Sequence, residues 1–256
     1  MGDEYYDEAV SLKQEVVART PDMVRQRQAV MAALALNAGE SVLDVGSGNG
    51  ILAREMLNAV GPSGSVIGVD PAEPMIAMSR TLCPGATFHQ GNASALPVAS
   101  EAFDAVTASQ VLGFVPDVDT ALAEMHRVLR FSGRLVILDT DWQTLLWNCS
   151  DSELLEKVIT ELTSPYTSAH VPRTLSAKLV SAGFELVDRK VHPIVNWNLS
   201  EESYSAQLTS FLPTREEGNG RRIDLRSAWN AEQTRMNNKG EYLFSLNRYI
   251  FTAQKR

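Results

Sequence analysis

The sequence predicts an α/β fold in which helices cover both faces of a mostly parallel β-sheet. The mostly apolar run Val42–Val45 is typical of a buried strand, and it leads into a glycine-rich turn over residues 46–50. Residues Ile51–Val60 follow with apolar side chains at helical spacing, and a second apolar strand ends at Asp70. A strand, a helix and a second strand in this order form a β-α-β unit, whose two strands lie parallel.

Strands and helices continue along the rest of the chain. Thr20 and Pro21 are typical of an N-cap and a first helical residue, and they predict a helix that extends to about Leu36. Asp117 is expected to cap a helix that covers the sheet. The other predicted elements are a fourth strand from Phe103, a fifth at Arg134–Asp139, helices at Ser152–Leu162 and Arg173–Ala182, a strand at Glu185–Val195, a helical insert at about 200–237 and a final strand at Tyr242–Ala253.

The turn after the first strand predicts a nucleotide cofactor site. Gly46, Gly48 and Gly50 permit positive φ and let the backbone approach a ligand closely. Asp70, at the tip of the second strand, can accept hydrogen bonds from both hydroxyls of a ribose. The glycine spacing is G-x-G-x-G, whereas a dinucleotide site requires G-x-G-x-x-G, and Ile51 stands where its last glycine would be.

The charge at the end of the first strand narrows the cofactor class. Asp44 precedes the turn, where a carboxylate would repel a pyrophosphate but could hold a cationic amino group. S-adenosylmethionine carries an ammonium at its methionyl end. We therefore expect Asp44, Gly46, Ser47, Gly48 and Gly50 to bind this cofactor, and an NAD-dependent oxidoreductase is the less favoured alternative.

Residues 42–50 resemble motif I of the class I S-adenosylmethionine-dependent methyltransferases, and the resemblance continues in order through about residue 140. Within that family, the motifs look most like the ubiquinone and menaquinone biosynthesis group, methyltransferase type 11. The resemblance implies a Rossmann-like fold with a seven-stranded, mostly parallel sheet in the order 3-2-1-4-5-7-6. It also implies S-adenosyl-L-methionine as the cofactor and methyl transfer as the reaction.

Further motifs of the resemblance imply the remaining cofactor contacts. Pro71 and Met75 lie in a run similar to the family's D-x-S-x-x-M, in which the large apolar residue lies against the adenine. Asn92 and Ala93 lie in a run similar to G-D-A-x-x-L-P, in which the acid accepts from the adenine amino group and the next backbone N–H donates to the ring. Asn92 departs from this pattern, and its neutral oxygen should weaken the contact by roughly 1 kcal/mol.

The loop that leaves the fourth strand resembles the family segment beneath the methionyl group. This resemblance implies that Ser109 and Gln110 line the cofactor. The chain is expected to be a methyltransferase, and the alternative is a catalytically silent, methyltransferase-like binding module.

The chain is predicted to be one methyltransferase domain over residues 1–256. Residues 1–36 are expected to form N-terminal lid helices, and residues 37–140 the cofactor-binding half. Residues 141–256 are expected to form the substrate side, with a cap insert at about 196–240.

Side chains near the N-terminus are candidates for the mouth of the site. Arg19, Arg25 and Arg27 could reach the cofactor carboxylate from a leading helix, and Tyr5 and Tyr6 could line the substrate entrance. The alternative is that the arginines are solvated and the tyrosines disordered.

Methyl transfer requires a general base only if the attacking atom carries a proton of high pKa. Asp141, which follows the fifth strand, and His170, which precedes a proline in a loop, are the candidates for such a base. Aromatic residues of the second half are candidates for substrate binding, although each could instead pack in the core. These candidates are Trp142, Trp147, Trp197 and Tyr204.

The composition of the chain limits the kinds of partner and ligand that it is expected to bind. The 256 residues carry a formal net charge of −8, which argues against a broad nucleic-acid surface. The two cysteines provide neither metal-ligand spacing nor a disulfide framework, and they favour a reducing cytoplasm. No apolar run approaches a membrane span, and the acidic N-terminus is unlike a secretory signal. The expected acceptor is a small organic molecule that is methylated on oxygen, nitrogen or carbon, with no metal involved.

Overall fold

The computed structural model describes residues 8–216 and 222–256. Strands and helices alternate through the first half of the chain, as the sequence predicts. The strands are β1 (Ser41–Val45), β2 (Ser65–Asp70), β3 (Thr87–Gln90), β4 (Phe103–Ser109), β5 (Leu129–Thr140), β6 (Leu146–Trp147), β7 (Phe184–Asn196), β8 (Thr214–Glu216), β9 (Arg222–Asp224) and β10 (Phe244–Lys255). The helices are α1 (Glu8–Ala18), α2 (Pro21–Leu34), α3 (Ile51–Val60), α4 (Glu73–Leu82), α5 (Val118–Val128), α6 (Ser152–Thr163), α7 (Pro172–Ser181), α8 (Tyr204–Leu208) and α9 (Leu225–Asn238).

The main sheet has the order β3-β2-β1-β4-β5-β10-β7, and β3 to β5 are parallel. Strand β10 lies antiparallel between β5 and β7. With β7 and β10 as the sixth and seventh strands of the family pattern, the order 3-2-1-4-5-7-6 is confirmed. The sheet has eight strands rather than seven, because Leu146 and Trp147 pair with Ser245 and Phe244 to form the short β6.

Local sequence signals place the helix ends. The side chain of Thr20 accepts a hydrogen bond from the Met23 backbone N–H at 3.4 Å, with Pro21 at the start of α2. Asp117 caps α5 in the same way, with its Oδ1 atom 3.0 Å from the Thr120 nitrogen. Helix α2 ends at Leu34, two residues before its predicted end, because Ala35 adopts a left-handed conformation with φ 45°.

The insert before the last strand is only partly helical. Helix α8 is followed by the hairpin of β8 and β9 and then by α9. Leu212 precedes Pro213 and takes an extended conformation, with ψ 137°. A residue before proline is disfavoured in the helical region, so the prediction of a continuous helical insert was wrong at this point.

Three apolar clusters hold these layers together. The faces of the sheet bury one cluster under α5 and α7 and a second under α2, α3 and α4. The third lies in the second half of the chain, where Trp147, Trp229 and Phe244 pack edge to face. Of the helices in the described ranges 8–216 and 222–256, none combines the length and apolar character needed to cross a membrane.

Candidate functional site

A cavity of about 750 Å³ opens where the parallel strands end. Small-molecule sites occupy roughly 300–1,000 Å³, so this volume suits a cofactor with a small second ligand. Its walls come from the tips of β1, β2 and β4, from α1 and α2, and from the segments after β5. In open α/β sheets, ligands bind in this place because the loops at the carboxyl ends of the strands converge there.

The glycine turn forms the floor of the cavity. Gly46 has φ 69°, and a Cβ atom there would lie 2.4 Å from Cγ2 of Val111. Gly46, Ser47 and Gly48, which are predicted to bind the cofactor, line the cavity. Gly50 does not. It lies behind the turn, where an added Cβ would lie 2.9 Å from Cβ of Ser79, so it allows the turn to pack against α4 rather than contacting a ligand.

Asp44 brings a carboxyl group into this floor. The residue is 2% exposed, and within the described ranges its Oδ2 atom has no hydrogen-bond partner. Burial is the larger cause and the charge of Asp70 the smaller one, and together they raise the pKa of Asp44 to about 8. An ammonium group beside Asp44 would supply the missing partner and offset this desolvation, so the site fits the methionyl end of S-adenosylmethionine.

Asp70 is held at the tip of β2 by the turn itself. Its Oδ2 atom accepts from the Gly48 nitrogen at 2.9 Å, and its Oδ1 atom accepts from the Ala72 nitrogen at 3.0 Å. Burial raises the pKa of Asp70, and both backbone hydrogen bonds act against that rise. Each carboxylate oxygen can accept more than one hydrogen bond. The group is therefore oriented and still able to accept from a ribose diol.

The predicted adenine residues share one wall. Pro71, Met75, Asn92 and Ala93 all line the cavity, and Met75 is buried. Asn92 is exposed, and its Oδ1 atom accepts from the Ser94 nitrogen at 3.0 Å within its own loop. One lone pair of that oxygen remains for a ligand.

Ser109 and Gln110 lie at the end of β4, also on the cavity wall. The Oγ atom of Ser109 accepts from Nε2 of Gln26 on α2 at 3.5 Å. Oε1 of Gln110 accepts from Oγ1 of Thr140 at 2.7 Å, and in the described part of the chain Nε2 of Gln110 has no partner. The hydrogen bond from Gln26 places helix α2 over this end of the cavity.

One of the three N-terminal arginines lines the cavity. Arg27 forms an ion pair with Glu55, Nε to Oε1 at 2.7 Å, and its exposed fraction is 13%. Arg19 pairs with Glu15 and Arg25 with Asp22, and both arginine side chains are largely exposed outside the cavity wall, so their predicted role was wrong. Tyr5 and Tyr6 lie outside the described residues.

Two of the four aromatic substrate candidates line the cavity. Trp142 and Tyr204 do so together with Tyr166, and the rings of Trp142 and Tyr166 are 5.5 Å apart. Trp147 lies in the core of the second half, and Trp197 is 74% exposed at the end of β7. Placing these two tryptophans at the mouth was wrong, because Trp147 pairs with Phe244 and packs on Trp229, while Trp197 follows the end of β7 in solvent.

Neither candidate base reaches the cavity. Asp141 is buried, but it forms an ion pair with Arg173 at 2.7 Å, Nε to Oδ2, and accepts from the Gln143 nitrogen at 3.1 Å. It therefore fixes the turn after β5 and leaves no proton-transfer role. His170 is exposed and does not line the cavity, so both predictions are corrected.

Sequence reasoning missed Arg248, which lines the cavity from β10. It is 2% exposed, and its guanidinium carbon lies 4.7 Å from the ring centroid of Tyr204. The signal was present, since Arg248 occupies an inward position between Leu246 and Ile250. Within residues 8–216 and 222–256, no cluster of three or more His, Cys, Asp or Glu side chains could hold a metal ion.

The segments that carry the predicted cofactor residues are similar in sequence to known proteins. Residues 43–137 match a family described as a methyltransferase domain. Over 110 residues the chain is 40% identical to the ubiquinone/menaquinone biosynthesis C-methyltransferase of Hahella chejuensis, covering 41% of this chain and 44% of that protein. Over 197 residues it is 30% identical to the arsenite methyltransferase of Halobacterium salinarum, covering 72% of this chain and 49% of that protein.

The fold has solved counterparts. Phosphoethanolamine N-methyltransferase 2 of Haemonchus contortus, in complex with S-adenosyl-L-methionine, superimposes with a TM-score of 0.64 at 16% identity over 98% of this chain and 57% of that one. The chain spans about half the length of the curated relatives it matches. The family and its cofactor, both predicted from the motifs, are confirmed: the chain carries a class I S-adenosylmethionine-dependent methyltransferase domain.

Proposed function

We propose that this protein transfers a methyl group from S-adenosylmethionine to a small organic molecule. The observation that carries the proposal is the buried, unpartnered carboxyl of Asp44 at the floor of the cavity. A buried carboxyl without a partner is unfavourable, and a ligand ammonium removes that penalty. A pyrophosphate would bring further negative charge next to Asp44 and Asp70. The resulting repulsion disfavours a dinucleotide in this cavity.

The cofactor contacts are assigned residue by residue. Asp44 holds the ammonium, Asp70 accepts from the ribose hydroxyls, and Met75 packs on the adenine. Asn92 accepts from the adenine amino group with Ala93 beside it. Pro71 lies beside Met75 at the adenine, and the methionyl chain lies over the glycine turn, bounded by Gly46, Ser47, Gly48, Ser109 and Gln110.

Positioning is the main catalytic task of the chain. When bound, S-adenosylmethionine supplies a methyl group on a cationic sulfur that leaves as a neutral thioether. Trp142, Tyr166 and Tyr204 hold the acceptor against that methyl group and exclude water, which provides alignment and desolvation. No base is assigned, so the acceptor atom is one that attacks without prior proton removal.

The relatives differ in the acceptor that their names state, and the described residues favour an organic one. A thiol ligand for arsenic would have to come from Cys83 or Cys149, and neither lines the cavity. Both cysteines are free thiols, and we infer a cytoplasmic location because thiols persist in reducing compartments.

Isothermal titration calorimetry with S-adenosylmethionine and S-adenosylhomocysteine tests the proposal. Wild-type protein should bind both, Asp44→Asn should bind S-adenosylmethionine roughly tenfold or more weakly, and the matched surface variant Asp188→Asn should match wild type. Tighter binding of NADH would overturn the assignment in favour of an oxidoreductase. Binding without transfer of labelled methyl to any compound in a small-molecule extract would instead show a silent binding module.

A further inference from the structure

We propose that Arg248 anchors an anionic group of the methyl acceptor, and that the acceptor is an aromatic or apolar carboxylic acid. The inference rests on the proposed function, because it names the class of molecule that occupies the half of the cavity beyond the cofactor.

The side chain of Arg248 is buried, and among the described residues it forms no direct ion pair. Burial raises the pKa of Asp139, and the charge of Arg248 acts only at longer range to lower it. Its Nη1 atom lies 3.0 Å from Sδ of Met23, and its guanidinium lies over the ring of Tyr204. In the part of the chain that the structure describes, Nε has no hydrogen-bond partner. Nε and Nη2 form the edge of a guanidinium that binds a carboxylate through two parallel hydrogen bonds. A thioether and an aromatic face leave Nε of this edge without an acceptor.

Two carboxylates of this region, those of Asp22 and Asp139, are held by other hydrogen-bond donors, while Glu161 also lines the cavity. Asp22 accepts from Nη2 of Arg25 at 2.5 Å and from the Tyr204 nitrogen at 2.9 Å. Asp139 accepts from the backbone nitrogens of Leu112, Gly113 and Thr140. A buried cation without a partner is strongly unfavourable, and a bound anion reverses that penalty.

Other buried polar atoms without a hydrogen-bond partner also differ between the two ends of the cavity. At the cofactor end, Oδ2 of Asp44 is an acceptor without a donor. Towards the segment after β5, Nε1 of Trp142 and Nε2 of Gln110 are donors without acceptors, as is Nε of Arg248. A ligand that satisfies three donors must be rich in oxygen acceptors, which describes a carboxylate. The body of that ligand meets Trp142, Tyr166 and Phe211, so it is aromatic or apolar.

The carboxylate of the cofactor is an unsuitable partner for Arg248. Strand β10 lies three positions from β1 in the sheet, a separation of roughly 14 Å. The ammonium and carboxylate of a methionyl group share one carbon, so a group held at Asp44 keeps its carboxylate near β1. Arg27 is better placed for it, because its partner Glu55 lies on α3, directly after the glycine turn.

The test uses matched acids and amides on protein saturated with S-adenosylhomocysteine. Benzoate and phenylacetate are compared with benzamide and phenylacetamide by calorimetry. We expect the acids to bind roughly tenfold or more tightly than their amides, and Arg248→Gln to abolish this preference. Arg248→Lys should keep part of it, because the charge remains while the fork is lost. The control Arg189→Gln, on the exposed face of β7, should leave it unchanged.

Several results would overturn the inference. Equal binding of acids and amides to wild type, or no binding of either, would do so. An unchanged preference in Arg248→Gln, or a loss of S-adenosylhomocysteine affinity as large as the loss of acid affinity, would do so as well. If Arg248→Gln fails to fold, the inference is tested by the preference of the wild-type protein for acids over amides and by the reduction of that preference in Arg248→Lys. If wild type binds no S-adenosylhomocysteine, the proposed function fails, while the acid and amide comparison without cofactor still tests Arg248.

Discussion

Asp44 and Asp70 are buried carboxyl groups that face one cavity and repel each other. Burial raises the pKa of Asp44 to about 8, with the charge of Asp70 as the second cause. Near neutral pH the carboxyl group of Asp44 is therefore largely protonated in the free protein. The ligand that this arrangement favours is one that brings a positive charge to β1 and hydroxyl groups to β2.

Cofactor affinity should increase with pH. Pairing with an ammonium requires ionised Asp44, so below a pH of about 8 each binding event must release a proton. The affinity for S-adenosylhomocysteine should rise by up to about tenfold per pH unit between pH 6 and 8. Calorimetry in buffers of different ionisation enthalpy measures both the affinity and the proton release. A flat profile in wild type, or the same slope in Asp44→Asn, would contradict the assignment.

The stability of the free protein should change in the opposite direction. The folded pKa of Asp44 is raised from 3.8 to about 8, so its stabilising contribution is complete below pH 3.8 and is lost as pH rises towards 8. Urea unfolding of ligand-free protein should show Asp44→Asn gaining stability over wild type as the pH increases from 6 to 8.5. Asp188→Asn serves as the control, and an equal pH response of both variants and wild type would rule out this linkage.

The ribose carboxylate should contribute more to binding than the adenine amide. Asp70→Ala removes a buried, oriented carboxylate, whereas Asn92→Ala removes an exposed neutral group. We expect a loss of about 2 kcal/mol or more for the first and about 1 kcal/mol or less for the second. Asn92→Asp should tighten binding, because it provides a charged acceptor. Equal losses in calorimetry would refute this ranking.

Gly46 and Gly48 should differ in their response to alanine. Both have positive φ, but only at Gly46 would the added Cβ collide with Val111, at 2.4 Å from Cγ2. Backbone strain alone costs about 1 kcal/mol, so Gly48→Ala should lose about that much stability and Gly46→Ala clearly more. Adding Val111→Ala should restore part of the loss in Gly46→Ala but not in Gly48→Ala. Urea midpoints measure this, and an identical effect of Val111→Ala on both would show that the contact is unimportant.

Alanine variants of Trp142 and Trp197 provide a matched test of where the acceptor binds. Trp142 lines the cavity and Trp197 is exposed, so Trp142→Ala should raise the KM for the acceptor or lower kcat while Trp197→Ala leaves both unchanged. S-adenosylhomocysteine affinity should stay within about twofold in each variant, because neither side chain is assigned to the cofactor. A kinetic effect of Trp197→Ala equal to that of Trp142→Ala would place the acceptor elsewhere.

Short-range signals were enough to predict the first half of the molecule. Thr20, Asp117 and the glycines of the turn act within a few residues of their own positions, so the order of elements from α2 to β5 follows from local sequence. The motif around Asp44, Asp70 and Met75 could be located for the same reason, since each residue stands at the end of a strand or the start of a helix. Gly50 was assigned to the ligand because its spacing shows the turn but not that α4 packs behind it.

Tertiary structure decided the acceptor side, where long-range pairing determines which side chains face the cavity. Asp141 looked available in sequence, but Arg173 lies beside it in space and neutralises it. Trp147 in β6 lies in the core, whereas Trp197, one residue past the end of β7, is exposed to solvent. Arg248 became part of the site only when β10 inserted between β5 and β7, because antiparallel pairing turned its guanidinium towards Met23 and Tyr204. The sequence alone located the residues that we assign to the cofactor, because their motifs are short-range patterns in the chain. Only the folded sheet determined what surrounds the acceptor, because those groups come from segments more than 100 residues apart, such as Met23 and Arg248.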